Sequence, residues 1–386
     1  MTRKTILIVG AGPAGLSLAR ALAGSPHKIE LIERQPREAL ADPAPDGREI
    51  ALTLRSQAIL KRLGAWQRIP MDEIHPLRKA RVRNGASPFA MAIGPEKRDA
   101  LGHLVSNQHI RRALFEVVAD QPGVSLHPAR KVLNAKTTPR GAAVILDDGT
   151  QLTGDLLVAA DSRFSTMREQ LGIGASVTRS GHTMMVCRIR HALPHRGIST
   201  EWFDHGRTIA LLPLAEGLSG LVVTLGDAEA RRICALPDQE IEDLFATFLG
   251  GQWGEIALET RPTPYPLAMT YADTFAVTRA VLIGDTAVGM HPVTAHGFNF
   301  GLLGSWRLAQ LIGPASDPGA ASLLRRYTLQ HRLATMPLYE ATRQLVKLYT
   351  DDSLLARPVR SGILRLGALA PVRKIMGRLL SEAGSA

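Results

Sequence analysis

Residues 5–34 constrain this chain more than any others. Thr5 to Val9 is an apolar, β-branched run suited to a strand buried in a parallel sheet, and it passes directly into Gly10, Gly12 and Gly15 with the spacing G-x-G-x-x-G. Leu16, Leu18, Ala19 and Leu22 then recur at helical spacing, so the glycines occupy a strand-to-helix turn. In such a turn Gly10 makes the tight bend, Gly12 lets the backbone approach a pyrophosphate, and Gly15 brings the helix close to the strand. Free N–H groups at the helix start face the anion. A second strand over Ile29 to Ile32 ends in Glu33, about twenty residues beyond the glycines, where an acid accepts from ribose hydroxyls. Strand, turn, helix, strand and acid in this order predict an adenine-dinucleotide site.

The rest of the composition narrows what surrounds that site. At 386 residues the chain is too long for one small core and predicts about two to three domains. Cys187 and Cys234 are its only cysteines and lack redox or zinc spacing, which suits a reducing compartment and a metal-free site. The N-terminus shows no apolar run with a cleavage site, and no stretch reaches the roughly 18 apolar residues of a membrane span. The expectation is a cytoplasmic protein, soluble or peripheral to the inner membrane. The net charge is +11, and residues 321–386 hold 11 Lys/Arg against 4 Asp/Glu, so they carry +7 of it. Without a zinc pattern, an RNA-binding signature or an aromatic-interleaved basic tract, nucleic acid is not an expected partner. An anionic membrane surface or a partner protein suits the basic end better, because between Arg357 and Arg378 arginines alternate with Ile363, Leu364, Leu366, Leu369, Val372, Ile375 and Met376. A closing helix packed on the protein with solvated arginines explains the same pattern.

Further along, residues 35–49 are rich in Pro, Asp and Gly and read as a surface loop. A short amphipathic helix follows with Ser56 as its N-cap, and Arg55 just before it is either a solvated side chain or a cation near the cofactor. A clear helix carries Ile110, Leu114, Val117 and Val118 on one face. Asp147-Asp148-Gly149 marks a hairpin turn. The run DLLVAAD is a second buried strand ending at Asp161, and Ala280 to Ile283 is a third, ending at Gly284-Asp285. Between them, residues 182–225 read as an antiparallel sheet, followed by a single helix over 238–249. Gly297, Asn299 and Gly301 precede a helix predicted over 302–312, and residues from 321 onward read as mostly helical, with breaks near Pro358 and Pro371.

Three apolar strands that end at positions 33, 161 and 285, the first carrying the dinucleotide turn, resemble the flavoprotein monooxygenases built like para-hydroxybenzoate hydroxylase. Within them the chain is most similar to the ubiquinone-biosynthesis hydroxylases. The resemblance runs through GAGPAGLSLARAL, ALTLRSQAILKRLGAW, HLVSNQHIRRAL, LLVAADSRFSTMREQLGI and VLIGDTAVGMHPVTAHGFNFGL to the tail that begins RRYTLQHRLATMPLYEATRQLVKLYT. It implies an α/β fold in which a Rossmann-like FAD-binding domain over 1–75, 102–180 and 266–345 is interleaved with a mostly antiparallel β-sheet substrate domain over 76–101 and 181–265. A C-terminal helical segment over 346–386 completes it.

The resemblance also implies the site. Gly10, Gly12, Ala14 and Gly15 would cradle the pyrophosphate, Glu33 and the adjacent Arg34 would hold the adenosine, and Arg55 and Asn107 would reach the FAD. Asp161 would lie near the pyrophosphate and the nicotinamide cofactor. Gly284 would support Asp285, which would accept from a ribityl hydroxyl. Pro292 would lie over the ring, with Gly297, Phe298 and Asn299 at its polar edge, where helix-start N–H groups suit developing negative charge. Pro292 and His296 are the catalytic candidates, and His296 reads either as a structural histidine or as a polar group near the flavin. His291, His182, His205 and Tyr265 read as structural. The chain departs from relatives at Asp161-Ser162, where Asp-Gly is usual, at Val288, where histidine is usual, and at Ala295-His296-Gly297, where Gly-Gln-Gly is usual.

The reaction implied is reduction of FAD by NAD(P)H, addition of O₂, and transfer of one oxygen atom from a flavin hydroperoxide to an electron-rich ring. For the ubiquinone branch the substrate would be a polyprenylated phenol or quinol, with ring hydroxylation such as that of 5-demethoxyubiquinol at position 5, and quinone-biosynthesis proteins as partners through the basic end. A single G-x-G-x-x-G disfavours a separate folded NAD(P)H domain, and no W-x-W-x-I-P stretch marks a halogenase. Two other readings stay open: hydroxylation of a soluble aromatic acid or phenol, and a non-catalytic flavin-binding assembly protein.

Overall fold

The computed structural model describes residues 3–85, 90–94, 99–204, 206–292 and 296–350. The basic stretch over 357–378, most of the expected C-terminal segment, the breaks near Pro358 and Pro371, and His205 lie outside the described residues.

Thr5–Val9 sits in the middle of a sheet whose order is Ala276–Val277, Ala280–Leu282, Leu156–Ala159, Thr5–Val9, Lys28–Ile32 and Val124–His127. All neighbours are parallel except the Ala276–Val277 edge, and the central register pairs Ile8 with Val158 on one side and Leu31 on the other. Both faces of such a sheet are covered, which is why its strands read as unbroken apolar runs. Ile6, Leu7, Ile8, Leu157 and Val281 are fully buried. The chain moves from Thr5–Val9 through Lys28–Ile32 to Val124–His127 in one direction, and Leu156–Ala159 and Ala280–Leu282 then add on the other side. The switch point therefore lies between Thr5–Val9 and Leu156–Ala159, where ligands of this architecture bind.

A second, mostly antiparallel sheet runs in the order Val288–Gly289, Thr263–Ala272, Ala175–His191, Leu218–Gly226, Arg207–Pro213, Ile198–Asp204, Lys79–Asn84 and Ala90–Ile93. Its alternation divides it into two faces. Met185, Cys187, Ile189, Leu221 and Val223 pack against helices Asp227–Cys234 and Asp238–Phe248. Met184, Val186 and Leu267 point the other way, with Val222 and Tyr265. A small antiparallel sheet of Glu49–Thr53, Gly102–Ser106 and His75–Leu77 stands between the two large ones in sequence.

Several local expectations change. The helix with Arg55 spans Leu54–Arg62, and Thr53 is its N-cap, accepting from the Ser56 N–H at 3.2 Å, so Arg55 lies in the first turn. The segment after residue 225 holds two helices rather than one, because the first is short and its apolar face consists of Ala230 and Ile233 alone. The glycine-flanked helix spans Gly297–Ile312, so Gly297, Asn299 and Gly301 belong to it. Two expected domain borders, at 180/181 and 265/266, fall within the strands Ala175–His191 and Thr263–Ala272, which pair with each other at both ends. Residues 35–49 are not simply a solvent loop. They contain the helix Arg37–Ala41, and a Cβ on Gly47 would lie 3.0 Å from Val186 Cγ2 in the second sheet.

Candidate functional site

The carboxyl ends of the parallel strands bring Gly10, Glu33, Asp161 and Gly284 to one edge. Gly10 has φ of +109°, and a Cβ there would lie 2.4 Å from the Ala160 carbonyl oxygen, so the first turn touches the second block directly. At Gly15 a Cβ would come within 1.9 Å of the Gly10 oxygen, which fixes glycine where helix Pro13–Ala21 crosses the turn. Gly12 is different: nothing lies within 4 Å of where its Cβ would be, so that side of the turn is open. The helix starting there has no side-chain cap and no acid in its first turn, leaving its N–H groups facing the opening.

Other expected site residues divide into those left open and those committed within the protein. Glu33 accepts from the Ala11 N–H at 2.7 Å and the Gln35 N–H at 2.9 Å, which braces the turn, and its carboxylate keeps lone pairs for a further donor. Arg34 is exposed beside it. Arg55 is half-buried, with no hydrogen bond or ion pair among the described residues. Asp161, expected near the nicotinamide cofactor and the pyrophosphate, forms a junction between two blocks of the sequence. It accepts from Ser165 Oγ at 2.6 Å, Thr286 Oγ1 at 3.0 Å and the Met167 N–H at 3.3 Å, tying the second block to the third. Ala14 likewise serves packing: its carbonyl accepts from Ser305 Oγ at 2.9 Å, and a Cβ on Gly284 would lie 2.8 Å from its own.

Asp285 is held at Oδ2 by Arg163 Nη2 at 2.9 Å, and Arg163 Nη1 also donates to the Ala268 carbonyl at 2.9 Å. Asp285 Oδ1 accepts no hydrogen bond among the described residues and stays open to a hydroxyl donor. The Asn299 side chain accepts from the Thr53 N–H at 3.1 Å and donates to the Ala51 carbonyl at 2.9 Å, which fastens the start of its helix to the small sheet. Gly297 and Phe298 are half-buried at the start of the same helix. His296 is buried just before it, with its ring 5.8 Å from that of Phe300. Pro292 is half-buried beside His291. Burial, with His182 and the Arg163 charge nearby, lowers the His291 pKa to about 4, so this imidazole is neutral near pH 7.

Sequence reasoning missed a cluster at the junction of the two large sheets. Asp46 pairs with Arg48 at 2.6 Å and accepts from Asn107 Nδ2 at 2.7 Å, while the Tyr265 hydroxyl donates to the Asp46 carbonyl at 2.7 Å. Burial opposes the Asp46 charge, but Arg48 and the hydrogen bonds from Arg48 and Asn107 outweigh it and hold the carboxyl below its ordinary range. Nearby, Arg188 on the second sheet pairs with Glu49 at 2.8 Å and Glu73 at 3.5 Å. Burial nevertheless leaves Glu49 with a raised pKa. A Pro-, Asp- and Gly-rich composition hid this cluster. The available signal was the Arg48-Glu49-Ile50 step, where that composition gives way to a strand. Asn107, expected to reach the FAD, donates to Asp46 within this cluster.

A family model described as "FAD binding domain" matches residues 3–341 of the 386. The chain belongs to this family of FAD-dependent aromatic-ring monooxygenases. Ubiquinone hydroxylase UbiM of Neisseria meningitidis is 44% identical over 387 residues, covering 97% of this chain and 84% of that protein. Ubiquinone hydroxylase UbiL of Rhodospirillum rubrum is 30% identical over 379 residues, covering 97% and 88%. The crystal structure of p-nitrophenol 4-monooxygenase PnpA from Pseudomonas putida DLL-E4 shares the fold, with a TM-score of 0.79 at 18% identity and full coverage of both chains.

FAD is the family's cofactor and NAD(P)H its transient reductant. The residues present fit FAD. The turn is open only at Gly12, where an approaching backbone is needed, Gly10 and Gly284 take left-handed conformations that bring the blocks together, and Asp285 keeps one oxygen open beside them. Among the described residues no helix is long and apolar enough to cross a membrane.

Proposed function

We propose that this monooxygenase hydroxylates the ring of a polyprenylated phenol or quinol in ubiquinone biosynthesis, the 5-demethoxyubiquinol type of reaction. The observation that carries the reading is the 44% identity to a ubiquinone hydroxylase over 97% of this chain. The inner face of the second sheet supports it, since Met184, Val186, Val222 and Leu267 form an apolar wall suited to a prenylated ring. The cations described beside that wall are already engaged, Arg48 with Asp46 and, 5.4 Å away, the Tyr265 ring, and Arg188 with Glu49 and Glu73, which weighs against recognition of a ring carboxylate.

Bound FAD, reduced by NAD(P)H, supplies the activated oxygen. The chain's residues do the rest. Gly12 and the helix start receive the pyrophosphate, Glu33 and Arg34 the adenosine, and Asp285 Oδ1 the ribityl chain. Arg55 lies toward the phosphates, and Pro292, His296 and the backbone of Gly297, Phe298 and Asn299 border the ring. The apolar wall keeps water away, which favours hydroxylation over peroxide release. The basic end over 357–378 would dock on an anionic membrane surface or a quinone-biosynthesis protein.

Purified protein supplied with NAD(P)H, O₂ and short-chain demethoxyubiquinols is expected to form the hydroxylated product, identified by mass, and a deletion strain is expected to accumulate the unhydroxylated precursor. Oxidation of NAD(P)H without any hydroxylated quinol, together with an unchanged quinone pool, would sink the proposal. Turnover of small aromatic acids alone would establish the soluble-substrate reading in its place.

A further inference from the structure

The inner face of the second sheet holds one carboxyl group that the site so far described does not use. Register places six residues side by side across it: Val186 opposite Val222, Val222 opposite Ala210, Ala210 opposite Glu201, Glu201 opposite Val82, and Val82 opposite Met91. Residues directly opposite one another project from the same face. Glu201 is the single polar member of this row. The alternate residues on the same strands, Trp202, Ile209 and Val223, belong to the opposite, helix-packed face.

Two observations bear on what the row faces. Val82, Glu201, Ala210 and Val222 are each only partly shielded from water, although they lie on interior strands of the sheet and neighbours such as Trp202, Ile209 and Val223 are buried. Glu201 is also deep: burial alone pushes its carboxyl up to about 8, with no charge or hydrogen bond contributing. A group that is deep in the protein and still reachable by water lines a cavity. On one side its neighbours are small, with Ala210 opposite and Ser199 two residues back along the strand, while Phe203 and Val82 bound the other side, which leaves room for a flat ring towards Ala210.

We propose that Glu201 is the polar anchor of the substrate ring, its carboxyl exchanging a hydrogen bond with a ring hydroxyl of a phenol or quinol laid along the Val82 to Val222 row. The assignment rests on the phenol or quinol reading above. An unpartnered carboxyl among apolar neighbours destabilises a fold, and a ligand hydroxyl supplies the missing partner. Near pH 7 the group is largely neutral, so it both donates to and accepts from a hydroxyl, while a ring carboxylate beside it would bring charge into an apolar wall.

The test uses the full-length, FAD-loaded enzyme, with a short-chain quinol or phenol and the methyl ether of its anchoring hydroxyl. Wild-type enzyme is expected to prefer the free hydroxyl. Glu201→Gln keeps a donor and an acceptor and should stay within about threefold of wild type in KM, while Glu201→Leu should raise KM by about tenfold to a hundredfold and lose the preference over the ether. Glu201→Leu should also match or exceed wild type in thermal stability, since it removes an unpartnered buried carboxyl. Ala210→Leu, which fills the same hollow from the next strand, should raise KM with FAD content unchanged. Unchanged KM and unchanged ether discrimination in Glu201→Leu, or unchanged KM in Ala210→Leu, would overturn the assignment. Should wild type hydroxylate no phenol or quinol at all, the proposed function fails first, and the two failures are thereby distinct.

Discussion

Two alanines, three residues apart, separate what the dinucleotide turn does for the fold from what it does for the cofactor. Gly12 has φ of −71° and ψ of −179°, a conformation open to any L-residue, and a Cβ there meets nothing within 4 Å. Gly12→Ala should therefore leave the FAD-free protein within about 1 kcal/mol of wild type, the scale of exchanging glycine for alanine at an uncapped helix start. At Gly15 a Cβ would lie 1.9 Å from a backbone oxygen that cannot rotate away, so helix Pro13–Ala21 must lift from the Thr5–Val9 strand. Gly15→Ala should cost about 3 kcal/mol or more, at the upper end of overpacking, with or without cofactor. The cofactor reverses the comparison. In FAD at 100 times its dissociation constant, wild type gains about 2.7 kcal/mol, while a variant bound a hundredfold more weakly gains only about 0.4 kcal/mol. Denaturant melts of both variants with and without FAD, and flavin-fluorescence titrations for affinity, measure each quantity. A Gly12→Ala protein that binds FAD with wild-type affinity would refute the argument that the pyrophosphate approaches this backbone.

Other perturbations test the junction and the buried histidines. Arg188→Met strands Glu49, whose side chain is 2% exposed, and should cost about 3–5 kcal/mol in chemical denaturation, most of it recovered when Glu49→Leu is added. The folded pKa values of His291 and His331 are depressed to about 4 and about 3, both chiefly by burial. Below pH 6.5 the unfolded chain takes up protons that the fold does not, so these groups make stability fall as pH drops from 6.5 towards 4, and for His331 towards 3. His331→Leu should flatten that acid limb by up to about 1.4 kcal/mol per pH unit, measured by melts across the same window. Tyr265→Phe deletes the 2.7 Å hydrogen bond to the Asp46 carbonyl, and should cost about 1 kcal/mol and release more peroxide per NAD(P)H oxidised as the cover over the inner face loosens. Unchanged peroxide yield would separate that loop from the exclusion of water.

What could be read from the chain, and what could not, follows from the range of the forces involved. The Thr5–Val9 strand, its glycines and helix Pro13–Ala21 are set by contacts close along the chain: the clash at Gly15 is with Gly10, and the brace from Glu33 is to Ala11, 22 positions away. Such local sterics leave a spacing in the sequence. Asp161 stood out for the same reason, since it ends an apolar strand, but its partners Ser165 and Thr286, the second of them 125 positions away, carried no signal. Arg163 carried no signal because its partner Asp285 lies 122 positions on. Glu201 was hidden differently. On an isolated strand it reads as the solvent-facing half of an alternation, and only when Lys79–Asn84 and Arg207–Pro213 flank it does that face become interior.

The same reasoning explains why the ring end belongs at the junction of the sheets. A Rossmann-like sheet fixes the phosphate end of a dinucleotide through one turn, but nothing in that turn aims a group an extended nucleotide's length away. Here the aiming parts are shared between the halves. Ala175–His191 and Thr263–Ala272 run, with one irregularity in their pairing between Arg179 and Thr183, from the Asp285 side into the wall that carries Val186 and Leu267. Arg163 joins Asp285 to the Ala268 carbonyl on one of those strands. Asn299 fastens the helix beyond Pro292 to the small sheet at Thr53 and Ala51, and Glu49, on that sheet's first strand, pairs with Arg188 on the wall. Asp285, proposed at the ribityl chain, is thus tied through Arg163, and Asn299, proposed at the ring edge, through the small sheet, to the sheet proposed to hold the substrate. Loosening any tie should change where the substrate ring stands relative to the flavin before it changes whether FAD binds, so the first symptom should be oxygen lost as peroxide while the protein remains yellow and folded.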